Sequence, residues 1–160
     1  MMINKVTRHD GTTIWNLDTD SADLPLGEVL PAAQTQFGQA IDTAAGQARA
    51  AFVSPGTLIE QEYQLAKHEA QTWLDGGKDG TAIPSSISDH MAMFGVGAEA
   101  AANEIVATAE QWEQALATIR SARLGGKAAV RNAETIEAAE LASQAAIAEL
   151  NAIRPQEGSL

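Results

Sequence analysis

A chain of 160 residues fits one ordinary domain, or a small module joined to an extended piece. Aromatic residues make up only 4% of it, and alanine supplies much of the 45% hydrophobic share, so long, thinly packed helices are favoured over a thick globular core. A net charge of −11 works against free-standing nucleic-acid binding and against adsorption to anionic lipid. The absence of cysteine excludes disulfides, thiolate nucleophiles and cysteine-ligated metals.

Residues 1–24 differ from the rest. Lys5-Val6-Thr7-Arg8-His9 and Thr12-Thr13-Ile14-Trp15-Asn16-Leu17 are rich in β-formers, and Asp10-Gly11 between them is a two-residue hairpin signal. No apolar segment of about 7–15 residues marks a signal peptide in Met1–Asp20. No run approaches the roughly 20 apolar residues of a membrane span. The reading is a soluble protein. A lone hairpin is marginal in water, so this one must pack on helices, on a partner or on copies of itself. Trp15 and Ile14 are therefore candidate interface anchors. Asp18 to Pro31 reads as a linker, and residues 1–31 together as an attachment segment.

A helical module is expected over 32–160. The first helix, about Ala32 to Phe52, repeats Phe37, Ala40, Ile41, Ala44, Ala48 and Ala51 at three- and four-residue spacing. Its small-residue stripe needs a close partner, which makes Phe37 and Ile41 interface candidates. Ser54-Pro55 is a start signal for a second helix, about 55–75, ended by Asp75-Gly76-Gly77. Ser85 or Ser86 is expected to cap a short helix, about 86–94, with Ile87, Met91 and Phe94 inward. A long helix follows over about 98–124. Ile105, Ala109, Trp112, Leu116 and Ile119, spaced 4, 3, 4 and 3, form a coiled-coil-like seam in it. Gly125-Gly126 is expected to be the turn of an antiparallel helical hairpin, about 98–153, with the last helix over about 127–153. The fold class is mainly α, alanine-rich, with a small N-terminal β-hairpin.

No catalytic constellation accompanies these elements. Gly95-x-Gly97-x-x-Ala100 matches a loose dinucleotide pattern, but a short helix precedes it where that chemistry needs a buried strand. Asp18-x-Asp20-x-x-Asp23 lacks the fifth and sixth positions of a calcium loop, having Ala22 and Asp23 there. His9, His68 and His90 are not at metal spacing, and no GxSxG elbow occurs. The sequence implies no enzyme, no cofactor and no metal.

Arg120, Arg123, Lys127 and Arg131 are four of only ten cations. Arg120 and Arg123 would oppose the negative end of a helix dipole, and Arg123 could lay its stem along the seam. Read functionally, the four could dock an acidic surface, including another copy of this acidic chain.

About residues 60–153 resemble a module of tailed-phage tail proteins, of the tail-fibre assembly and tail-fibre-associated kind. The resemblance is carried by Glu60-x-Glu62-Tyr63-x-x-Ala66, Glu69-Ala70-Gln71 and Ile83-Pro84-Ser85-Ser86-Ile87. It continues through Ala101-Ala102-x-x-Ile105, Trp112 and Ala117-Thr118-Ile119-Arg120 to Arg123-Leu124-Gly125-Gly126-Lys127-Ala128-Ala129-Val130. Where the family places a tryptophan-alanine pair after the Pro-Ser turn, this chain has His90-Met91. The resemblance implies a non-enzymatic structural protein of the virion tail, present in the host cytoplasm during assembly, with other tail or tail-fibre proteins as partners. The alternatives are an assembly chaperone absent from the mature virion and, last, a small soluble enzyme. A homo-oligomer is expected, a trimer if the chain is fibre-linked, with no nucleic acid and no membrane.

Overall fold

The computed structural model describes residues 1–20, 23–52 and 59–155. The chain is mainly helical with a two-stranded antiparallel hairpin at its N-terminus. It divides into two compact units. One comprises Met1–Arg49 and Thr118–Arg154; the other is built on Ala50–Ala117.

In the first unit, strands β1 (Met2–Thr7) and β2 (Thr13–Asp18) pair in a register that sets Ile3 against Leu17 and Val6 against Ile14. The loop has three residues, not the two expected. The Gly11 N–H donates to the Arg8 carbonyl (3.0 Å) and the Arg8 N–H to the Thr12 carbonyl (2.8 Å). Only Gly11 takes positive φ there, whereas the two-residue type I′ turn would demand it of Asp10 as well. Asn16 is left-handed (φ 52°), which turns β2 by one side. Ile14 and Leu17 of β2, three apart, thus share a side, half-buried and buried, opposite Val6 and Ile3, which are both buried.

The hairpin rests on helix α1 (Leu26–Ala50) of its own chain. Glu28 accepts from Arg8 Nε (3.2 Å) and the His9 N–H (3.4 Å). The Gln36 amide stands in for a third strand: its Oε1 accepts from Asn4 N–H (2.7 Å) and its Nε2 donates to the Met2 carbonyl (3.1 Å). Helix α1 begins six residues before the expected Ala32 and contains Pro31. The proline forfeits one hydrogen bond, to the Gly27 carbonyl, in a turn where Gly27 and Pro31 are both exposed. What reads as linker is thus partly the first turn of a helix, started at the Pro25 carbonyl, which accepts from Glu28 and Val29.

The expected turn at Gly125-Gly126 does not exist. Helix α4 runs unbroken from Ala98 to Asn132, and α5 spans Ile136–Ala152. The hairpin turns instead at 133–135, where the Thr135 side chain caps α5 by accepting from Ala138 N–H (3.1 Å). The Gln34 side chain closes the end of α4, donating to the carbonyls of Arg131 (3.1 Å) and Ala133 (3.0 Å). Gly126 is a packing position. A Cβ there would lie 2.3 Å from Ala146 Cβ and 3.4 Å from Ile41 Cδ1. Helices α1, α4 and α5 therefore approach one another at Gly126. Two glycines cost this helix about 1–2 kcal/mol in propensity, and tertiary packing offsets that loss.

In the second unit, helix α2 is described from Ile59 to Asp75; the expected Ser54-Pro55 start lies outside the described residues. Gly77 (φ 92°) ends it, with Lys78 N–H donating back to the Trp73 carbonyl (3.1 Å), as a glycine C-cap requires. Helix α3 (Ser85–Phe94) follows Pro84, and neither serine caps it. Ser86 instead gives its N–H (3.4 Å) and hydroxyl (2.5 Å) to Glu69 on α2, so a carboxylate from a neighbouring helix meets the start of α3. The core here gathers Ala70, Trp73, Ile87, Ala101 and Ala102, with Met91 and Ile105 packed against it. Phe94, expected inward, is exposed at the α3 end, its ring tilted 42° against that of His90 (centroids 4.5 Å apart).

Candidate interaction surface

Trp15 stands on the hairpin with 65% of its surface exposed, the Lys5 ammonium 5.4 Å from its ring centroid. Ile14 lies half-buried opposite Val6. Phe37 and Ile41 are interior residues of the first unit. Alanine neighbours do leave α1 short of apolar bulk, but the helices that cover these two side chains belong to the same chain. Ile41 reaches Gly126, and the Phe37 carbonyl accepts from the buried Ser143 hydroxyl (3.4 Å).

The four cations separate into two pairs. Arg123 and Lys127 bind Asp42 of α1: Nη1 to Oδ1 at 2.9 Å and Nζ to Oδ2 at 2.5 Å. The Lys127 hydrogen bond, opposed by partial burial and reinforced by Arg123, holds the Asp42 carboxyl below its ordinary range. Arg120 and Arg131 are exposed. Because α4 continues to Asn132, Arg120 and Arg123 do not sit at a helix end; Arg131 alone lies in the last turn. Asp42 is the carboxylate the sequence reading missed. Its signal is modest but present: no other acid occurs between Glu28 and Glu60.

The seam is divided. Ile105 packs on the Trp73 cluster, Trp112 is buried (8% exposed) with its ring 6.0 Å from that of Phe52, and Leu116 is half-buried. Those three lie in the second unit, whereas Ile119, fully buried, belongs to the first.

The motifs weighed for chemistry fall in plain settings. Gly95-Val96-Gly97 joins α3 to α4, with Gly95 left-handed (φ 69°) and its N–H on the Met91 carbonyl (2.9 Å). His90 Nε2 lies 2.8 Å from Glu104 Oε2. Among the described residues no three His, Asp or Glu side chains are grouped to hold a metal ion, and no helix is long and apolar enough to cross a membrane. An open groove of about 420 Å³ separates β1 from the first half of α1, with Asn4, Lys5 and Thr7 facing Glu28, Thr35 and Gln36. Comparison with protein-family models, with curated proteins and with solved structures finds no match to this chain.

Proposed function

We propose that the protein is a non-enzymatic structural component of a bacteriophage tail, associated with the tail fibre or its attachment. The sequence resemblance over residues 60–153 supports the tail assignment. The observation that carries the interaction role is Trp15. Its indole is left outside a hairpin whose other face is already buried on α1. A tryptophan buries about 150–250 Å² when covered, and such rings are the commonest anchors of protein interfaces. The hairpin attaches the chain to other tail or tail-fibre proteins, in a homo-oligomer for which a trimer is expected. The helical units form the body of the attachment piece.

Purified virions supply the test. The protein is expected at fixed copy number in the tail, and Trp15→Ala is expected to reduce its incorporation while its thermal midpoint stays unchanged. Presence in infected-cell lysate but absence from virions would favour a departing assembly chaperone over a structural component.

A further inference from the structure

Charge is distributed unevenly along this acidic chain. Residues 50–117 carry ten carboxylates and only two cations, Lys67 and Lys78. Both lysines are engaged inside that unit, Lys67 with Glu113 (2.7 Å) and Lys78 with Glu99. Eight of the ten cations lie in the other unit. From Glu113 to Glu134 there is no intervening carboxylate, and this stretch holds Arg120, Arg123, Lys127 and Arg131.

Because α4 is continuous, Arg120, Leu124, Lys127 and Arg131 fall at i, i+4, i+7 and i+11 of one helix. They share a stripe about 60° wide and about 16 Å long. Asp42 neutralises the Lys127 side of it. Arg120 and Arg131 have no ion-pair or hydrogen-bond partner for their guanidinium groups among the described residues, and Leu124 between them is 45% exposed. The second unit offers the complementary arrangement. Glu62 and Glu110 are exposed carboxylates with no such partner among the described residues, and Leu65, one helical turn from Glu62, is 58% exposed.

We infer that the Arg120–Leu124–Arg131 stripe of one copy docks on the acidic unit of a second copy. The contact sets unlike surfaces together. Stripe on stripe would bring like charges together, and so would acid on acid. A charge-complementary pair avoids both and places an exposed leucine on each side; made reciprocally it closes a two-fold dimer, and made once it is heterologous and leaves a free acidic unit and a free stripe for further copies. Such heterologous contacts close into rings or extend as filaments, according to the rotation between copies. The inference concerns how copies meet one another and is independent of attachment through Trp15.

Sedimentation velocity of the full chain tests it. Self-association is expected at low ionic strength and is expected to weaken at least about tenfold when the Debye length is shortened to about 3 Å in 1 M salt. R120E/R131E and E62K/E110K are each expected to remain monomeric at low salt with unchanged circular dichroism. R120Q/R131Q, which removes charge without reversing it, guards against a folding defect and should weaken association in the same direction. An equimolar mixture of R120E/R131E with E62K/E110K retains one intact stripe and one intact acidic unit, and it sets the reversed stripe against a reversed acidic unit, so association should return in the mixture. A wild-type chain that stays monomeric at low salt, either double reversal that associates like wild type, or a mixture in which association does not return overturns the proposal.

Discussion

Near its start, α4 presents Ala101 and Ala102 to Trp73 and Ile87; further along, it presents Gly126 to another helix backbone. Both are small residues on a buried face. At the first place smallness makes room for a large side chain. At the second it lets Ala146 come within 2.3 Å of where a Cβ would stand. The two units thus depend on different things, aromatic bulk in one and close approach of helices in the other. Substitutions should fail differently in each.

The largest effects are expected where bulk is removed. Trp73→Ala empties the centre of the second unit's cluster and takes away the indole N–H that donates to the Asp79 carbonyl (3.0 Å). A loss of about 3–5 kcal/mol is expected in denaturant unfolding. Trp112→Ala, which strips the ring packed near Phe52, belongs in the same range. An unchanged thermal midpoint for either would mean that aromatic bulk does not hold this unit.

The neighbouring glycines sharpen the comparison with opposite signs. Gly126→Ala forces its methyl group into Ala146 and against Ile41, neither of which is the end of a long flexible side chain. Overpacking of this kind costs about 1–3 kcal/mol. Gly125 has nothing within 4 Å of an added Cβ and is exposed. Gly125→Ala should therefore stabilise α4 by about 0.5–1 kcal/mol through propensity alone. Thermal melts of the two single variants suffice, and a stabilising Gly126→Ala would remove the close-approach account.

Local pattern made the elements legible, and it misplaced their ends for identifiable reasons. Helical spacing locates the five helices found among the described residues, and the β-rich start locates the hairpin. The Gly125-Gly126 turn was wrong because a glycine pair reads the same whether it breaks a helix or admits a neighbour; only the position of Ala146, twenty residues on, distinguishes them. Pro31 misled in a similar way, since a proline one turn inside a helix looks like one that precedes it. Phe37 and Ile41 were recognised as needing cover, but periodicity does not say whose helices provide it. Gln34, Gln36 and Glu69 close a helix end, a strand edge and a second helix start across 17 to 99 residues of sequence, and no local signal carries that. Among the interface candidates, Trp15 and the two outer arginines are on the surface, while the two inner cations are joined to an aspartate that the pattern did not single out.

The smallest expected effect contrasts the ion pairs of the two units. Lys67, with a lesser side-chain hydrogen bond from Gln64, draws the Glu113 carboxyl below its ordinary value, and that carboxylate is 45% exposed. At Asp42 a lysine and an arginine act together, and the carboxylate is 40% exposed. A carboxyl whose folded value is lowered contributes its stabilisation fully above its unfolded value, near pH 4, and loses it as pH falls through the folded one. Asp42 should therefore steepen the loss of stability below about pH 4 and leave neutral pH unaffected in slope. Exposure limits the contribution to about 0.5 kcal/mol. Asp42→Asn should lower stability by that amount at pH 7 and flatten the acid limb, with the two curves converging at low pH. Glu113→Gln should change the acid limb less, because one lysine is a weaker hold than two cations on one carboxylate. Denaturant titrations between pH 2.5 and 7 compare them, and an Asp42→Asn curve parallel to wild type throughout would show that this carboxylate does not couple folding to acid.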